Sequence, residues 1–155
     1  MVIKNQLGNF YPPNNILIDT KFLKTLPKIQ VISGIGEMAH YFFVSSNSDF
    51  KYLYKYIDKV NFKKNDFKEL IYKSLLIKKK FIEKNKFDKK ERLLLNYGHS
   101  FGHALESYTN YKIYHGCAVV IGMMISNYIS YKLNYLNINQ LNMMNGLLKK
   151  IYTEE

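Results

Sequence analysis

Between Asn96 and Glu106 the chain reads Asn-Tyr-Gly-His-Ser-Phe-Gly-His-Ala-Leu-Glu. His99 and His103 stand four residues apart, the spacing that puts two imidazoles on one side of a helix. A third histidine, His115, follows in Tyr-His-Gly. Imidazoles on a helix that also carries leucines must be paired, solvated or bound to something, so other segments have to bring partners to this one. Glycines accompany the candidates: Gly98 and Gly102 precede the two histidines, Gly36 precedes Glu37, and Gly116 follows His115. Glycine weakens a helix, so its repetition at these points implies a close approach to the backbone, either by a neighbouring helix or by a ligand.

The hydrophobic pattern along the chain is helical. Residues 1 to 15 carry Gly8, Pro12, Pro13, Asn14 and Asn15 and read as loop. Ile16-Leu17-Ile18 predicts a short buried strand closed by Asp19 and Thr20 as a helix N-cap, and a small helix through Phe22, Leu23 and Leu26 stops at Pro27. From Lys28 to Phe43, Ile29, Ile32, Ile35, Gly36, Ala39 and Phe43 recur at three or four, with Glu37 and His40 sharing a face. Asp49 is placed to cap a helix containing Leu53, Tyr56, Ile57 and Val60. Asp66 to Glu69 has capping-box spacing and opens a long helix whose core candidates are Leu70, Ile71, Leu75, Ile77 and Phe81. The pattern lapses around Asn85 to Asp88 and resumes from Glu91 through Glu106; further helices follow from about Gly116 to Leu133 and from Asn139 to Tyr152. The prediction is a mainly α domain of six or seven helices with one short strand near the N-terminus.

A chain of 155 residues has room for one domain with a real core. The formal net charge of +11 comes from lysine, since the one arginine is Arg92. Lysines that solvate helix faces explain the charge better than a nucleic-acid surface does. Cys117 stands alone, which excludes an intrachain disulfide and fits a reducing compartment. The N-terminus lacks the layout of a signal peptide, so a cytoplasmic location is expected. The most apolar run, Cys117 to Ile125, falls well short of the ~20 residues that a membrane span requires.

A pair of helical histidines is a weak signal alone. With His115 and the carboxylate of Glu37 it becomes a set of nitrogen and oxygen donors that Zn²⁺, Fe²⁺ or Co²⁺ accepts, provided the fold converges them. Arg92, Asn96 and His99 are spaced four and three apart, and His103 extends that face. With Lys78 nearby, this stripe would suit a carboxylate or phosphate. Flanking Leu93, Leu94, Leu95 and Phe101 predict that the helix is buried.

These residues resemble the signature of 3-dehydroquinate synthase and its sugar-phosphate cyclase relatives. The resemblance extends in order from residue 4 to about 133. It includes Lys4-Asn5 to Tyr11-Pro12, Leu17-Ile18-Asp19-Thr20, Leu23-Lys24-Thr25-Leu26-Pro27, Ser33-Gly34-Ile35-Gly36-Glu37, and His115-Gly116 with Ala118-Val119. It implies the helical metal-binding domain of that fold, with Glu37, His99 and His115 as ligands of a divalent metal, zinc or cobalt. His103 would lie beside the transferred proton and the phosphate. Lys78, Arg92, Asn96 and Asn5 fall at substrate-binding positions, the first two for a substrate carboxylate. Lys4 and Phe22, Leu23, Lys24 and Thr25 fall where the family reaches toward NAD. The implied reaction is NAD-assisted phosphate elimination and ring closure of a seven-carbon sugar phosphate, in aromatic amino acid biosynthesis.

The sequence also departs from that pattern. The Gly-rich nucleotide-binding domain that precedes this region in the family is not in the sequence, and the helices expected after about Leu148 are missing too. Residues 1–155 are therefore expected to form one truncated C-terminal domain, working with a separately encoded NAD-binding half, with a homodimer as a further partner option. His40 stands where a substrate lysine is usual, which points toward a different sugar phosphate, and Cys117 replaces a common acidic residue. The competing readings are a non-catalytic metal-binding remnant, a fragment of an iron-dependent alcohol dehydrogenase, whose histidine pattern fits less well, and a nucleic-acid binder.

Overall fold

The computed structural model describes residues 11, 13–59, 67–84 and 90–152, apart from the side chains of residues 84 and 90–92. Six α-helices account for most of it: α1 (Lys28–Ser45), α2 (Asn47–Lys59), α3 (Lys68–Lys84), α4 (His99–Tyr108), α5 (His115–Lys132) and α6 (Ile138–Tyr152). Two 3₁₀ helices, Thr20–Thr25 and Lys90–Asn96, complete the described secondary structure. The domain is mainly α, as the periodicity predicts.

α5 is the central element, and its composition explains why. Its sequence is apolar on almost every side, and Gly116, Cys117, Ala118, Val119, Val120, Gly122, Met123 and Asn127 are all buried. A helix without a polar face is stable only when surrounded, and α1, α4 and α6 all pack against it. α1 contributes Ile32, Ile35, Ala39 and Phe42, α2 contributes Phe50, Leu53 and Ile57, and α6 contributes Leu147, Leu148 and Ile151. No described helix is long and apolar enough to cross a membrane.

Glycines set the distances between these helices. A Cβ on Gly116 would lie 1.7 Å from the Ser33 carbonyl oxygen, and one on Gly36 would lie 2.5 Å from the Gly116 oxygen. On the other side of α5, a Cβ on Gly122 would lie 2.0 Å from the Gly98 oxygen, and one on Gly102 would lie 3.2 Å from Ala118. The glycines that flank the candidate ligands therefore mark helix-on-helix contact. A hydrogen bond from the Gly116 N–H to Ser33 Oγ, 3.0 Å, closes the α1–α5 seam.

Several expectations need correction. No strand occurs among the described residues: Ile16, Leu17 and Ile18 are 75%, 96% and 50% exposed. A strand requires a neighbour to take its backbone hydrogen bonds, and none of the described segments supplies one. Asp19 nevertheless caps as expected, accepting from the Lys21 N–H at 2.9 Å. α2 is capped by Ser46, whose Oγ accepts from the Asp49 N–H at 3.1 Å, while Asp49 sits in the first turn and accepts from Ser45 and Ser46.

In α3, Leu75 points outward at 41% exposed, and Ser74 is buried in its place. Val60 and Asp66 lie outside the described residues. The helix predicted from Glu91 to Glu106 is broken: the 3₁₀ helix ends at Asn96, and Gly98, at φ +81°, starts α4 afresh. Gly98 tolerates that left-handed conformation because it has no Cβ, and the close contact with α5 also forbids a side chain there. The break leaves Leu93, Leu94 and Phe101 at 57%, 49% and 38% exposed, so their apolar character does not signal burial.

The glycine contacts define a paired test. Gly122→Ala should cost about 3 kcal/mol or more, because backbone would have to move to admit the methyl group. Gly34→Ala, in α1 with nothing beyond its own stretch of helix backbone within 4 Å of the position its methyl group would take, should stabilise by about 0.5–1 kcal/mol through helix propensity. Urea unfolding of both variants measures the difference.

Candidate metal centre

Three helices meet at one point because the glycine seams hold them there. Glu37 follows Gly36 on α1, His99 follows Gly98 at the start of α4, and His115 precedes Gly116 at the start of α5. One donor atom from each lies within 4.8 Å of the others. Glu37 Oε2 is 3.5 Å from His99 Nε2 and 3.3 Å from His115 Nε2. It is buried, and no group completes a well-aligned hydrogen bond to it. An orphaned carboxylate oxygen is costly, and here it faces two imidazole nitrogens across a gap that a cation would fill.

The opposite edges of both rings are anchored. His99 Nδ1 is 3.3 Å from the Tyr97 carbonyl oxygen, and His115 Nδ1 is 3.0 Å from Glu106 Oε2. Anchoring one ring nitrogen on an oxygen acceptor leaves the other free to ligate, which is the outer-shell arrangement of metal-binding histidines. Two imidazoles and a carboxylate suit Zn²⁺ or Co²⁺, with positions left open for other oxygens.

The carboxylate and the imidazoles shift one another's protonation. Burial alone would raise the Glu37 carboxyl, but the imidazoles around it, His99 foremost, outweigh burial and hold it below its ordinary value. The same carboxylate holds the His99 proton above the usual imidazole range, against the effect of burial. Burial, together with the Glu37 charge, pushes the Tyr41 hydroxyl up to about 12. Tyr41 therefore stays protonated and donates a long hydrogen bond, 3.5 Å, to Glu37 Oε1.

The other candidates divide. The exposed His103 ring lies 5.5 Å from that of His99 and 5.6 Å from that of His115, so it belongs to the same cluster. The Lys78 ammonium lies 5.5 Å over the Tyr41 ring, at the edge of the cluster. Asn96 is exposed and ends the 3₁₀ helix before α4, so it does not share a continuous helical stripe with His99. Phe22, Lys24 and Thr25 are exposed on the first 3₁₀ helix, while Leu23 packs against the core. Lys4, Asn5 and the Arg92 side chain lie outside the described residues.

His40 is only 2% exposed. It packs edge-on to His99 with ring centroids 4.8 Å apart, and its Nδ1 lies 4.0 Å from Glu37 Oε2. Burial pushes it down to about 4. It is a neutral ring packed behind Glu37 and His99, unlike the exposed cation a lysine would supply.

Sequence reasoning gives no role to Glu106, Tyr97 or Asn127. The Tyr97 hydroxyl donates a short hydrogen bond to Asn127 Oδ1, whose amide donates to Asn145 Oδ1 at 2.8 Å, and Asn145 donates to the Met124 carbonyl at 3.4 Å. This partly buried chain ties α5 and α6 to the residue whose carbonyl anchors His99. Burial pushes the Tyr97 hydroxyl well above its ordinary value, so it remains a donor.

These features define a helical domain carrying a three-donor carboxylate–imidazole site. Within that class, the chain belongs to the 3-dehydroquinate synthase C-terminal family, whose model matches residues 34–154. It is 39% identical to the 3-dehydroquinate synthase of Buchnera aphidicola subsp. Cinara cedri, over 93% of this chain and 41% of that protein. It is 40% identical to that of Dictyoglomus turgidum, over 94% and 41% respectively. A bifunctional 3-dehydroquinate synthase/phosphatase of Fusobacterium nucleatum is 37% identical over 78% of this chain and 19% of its own length. The chain thus spans about two fifths of the first two relatives.

Tyr97→Phe should cost about 1–3 kcal/mol, because it leaves Asn127 Oδ1 buried without its donor. Denaturant titration against wild type checks this.

Proposed function

We propose that this chain is the metal-binding part of a 3-dehydroquinate synthase-like cyclase, a lyase that eliminates phosphate from a seven-carbon sugar phosphate and closes its ring. The convergence of Glu37 Oε2, His99 Nε2 and His115 Nε2, with Oε2 buried and unsatisfied, is the observation that carries the reading. The names of the relatives supply the activity. Because the chain spans 41% of those relatives, NAD is proposed to bind mainly to a domain outside this sequence, encoded separately or in a longer chain.

Zinc or cobalt bound to Glu37, His99 and His115 would supply Lewis acidity toward a substrate hydroxyl. The remaining steps fall to side chains. His103, exposed beside the donors, is suited to receive a proton and to contact the departing phosphate. Lys78 and Arg92 supply positive charge for the substrate carboxylate, and Asn96 and Asn5 supply amides for its hydroxyls. Lys4, Phe22, Leu23, Lys24 and Thr25 are proposed to contribute to the NAD contact. His40 brings a neutral ring where the family's lysine would bring a cation, so the substrate is proposed to be held with one positive charge fewer.

The purified chain should bind about one Zn²⁺ or Co²⁺, and His99→Ala or His115→Ala should abolish binding, as read by elemental analysis after gel filtration. Unchanged stoichiometry in either variant would overturn the ligand assignment. Coexpression with the N-terminal part of the Dictyoglomus turgidum relative, followed by a phosphate-release assay with metal and NAD, tests the activity. No release from an assembled, metal-loaded pair would overturn the cyclase reading and leave a metal-binding domain.

A further inference from the structure

Glu106 is the one buried carboxylate among the described residues, 5% exposed. It sits in the last turn of α4, where the partial negative charge of the helix end disfavours an anion. Burial adds a further cost unless the charge is paired and hydrogen-bonded. Its side-chain partner is the His115 ring, through Nδ1 at 3.0 Å. A carboxylate is an acceptor, so this contact requires the proton of His115 to be on Nδ1.

That requirement reaches the donor cluster. With the proton on Nδ1, the Nε2 of a neutral ring carries a lone pair, and that lone pair faces Glu37 Oε2 at 3.3 Å. Two acceptors at that distance repel unless positive charge lies between them. The turn linking α4 to α5 holds the pair in register: the Tyr111 N–H donates to the Glu106 carbonyl at 2.7 Å, and Asn110 and Tyr111 both adopt positive φ, 51° and 59°.

We propose that Glu106 is a positioning residue for the metal centre: its carboxylate holds the His115 proton on Nδ1 and so presents Nε2 to the ion shared with Glu37 and His99. The role rests on the metal reading given above. It differs from that of a ligand, although His103, Glu106 and His115 Nδ1 also offer donor atoms within 4.8 Å of one another. The 3.0 Å Nδ1–Oε2 distance is that of a hydrogen bond, and a proton on Nδ1 occupies the lone pair that an ion at that nitrogen would need.

The test uses the full chain. In the metal-free protein, long-range ¹H–¹⁵N spectra should show His115 protonated on Nδ1, and Glu106→Ala should remove that preference. Zn²⁺ competition against a chromophoric chelator should show affinity about 10–100-fold weaker in Glu106→Ala. Glu106→Gln keeps an acceptor oxygen and should recover most of that loss, which also controls for a folding defect in the alanine variant. An Nε2–H tautomer in the wild type would overturn the proposal. So would a folded Glu106→Ala that binds Zn²⁺ like a wild type with one ion per chain, and that result leaves the metal reading standing. Two Zn²⁺ per chain, one of them lost in both Glu106→Ala and His103→Ala, would make Glu106 a ligand instead. A wild type that takes no Zn²⁺ would defeat both readings.

Discussion

The contact between glycine-bearing backbones on two sides of α5 is the constraint on which the rest of the structure depends. Gly116 lies against Ser33 and Gly36, and Gly122 lies against Gly98. No side chain separates these strips, so three helices approach as closely as their backbones permit. The residues beside the glycines are then forced together, and they are Glu37, His99 and His115. Packing and site are one feature: the same small residues that let α5 be enclosed also deliver the donors to one point.

The site departs from the usual rules of a folded interior in a consistent direction. A carboxylate oxygen is buried without a hydrogen bond, a second carboxylate sits at the wrong end of a helix, and an imidazole is neutralised behind them. Each is unfavourable alone. Together they bring a carboxylate oxygen and two imidazole nitrogens to one point, an arrangement that the proposed divalent cation would relieve. Around it, Tyr41, the Tyr97 carbonyl and Glu106 hold the donors by their remaining polar atoms, while the amide chain through Asn127 and Asn145 fastens that support to α6.

Legibility from sequence varies with the range of the interaction involved. The periodicity of Ile32, Ile35, Gly36 and Ala39 locates α1, and the unbroken apolar run after His115 locates the central helix, because both patterns are local consequences of helix geometry. The strand expected at Ile16 to Ile18 does not form because pairing requires a partner that apolar character does not provide. The single helix expected from Glu91 to Glu106 does not form because Gly98, besides being small, supplies a positive φ. Leu93 and Leu94 lie on the 3₁₀ helix before that break and are exposed, while Leu95 packs against the core. Glu106 carries a signal in the sequence, a carboxylate three residues after His103 and in the last turn of its helix, where the helix charge opposes it.

By itself the sequence determined the helical class, the family and the donor types, since composition, spacing and ordered motifs are properties of the chain read linearly. Tertiary structure decided which donors converge, which nitrogen of each imidazole faces the gap, and that His40 is enclosed while His103 is exposed. Those outcomes depend on how closely α1, α4 and α5 approach. That distance is set by atoms far apart in the chain, Gly116 against Ser33 and Gly122 against Gly98, whose meeting no local pattern records.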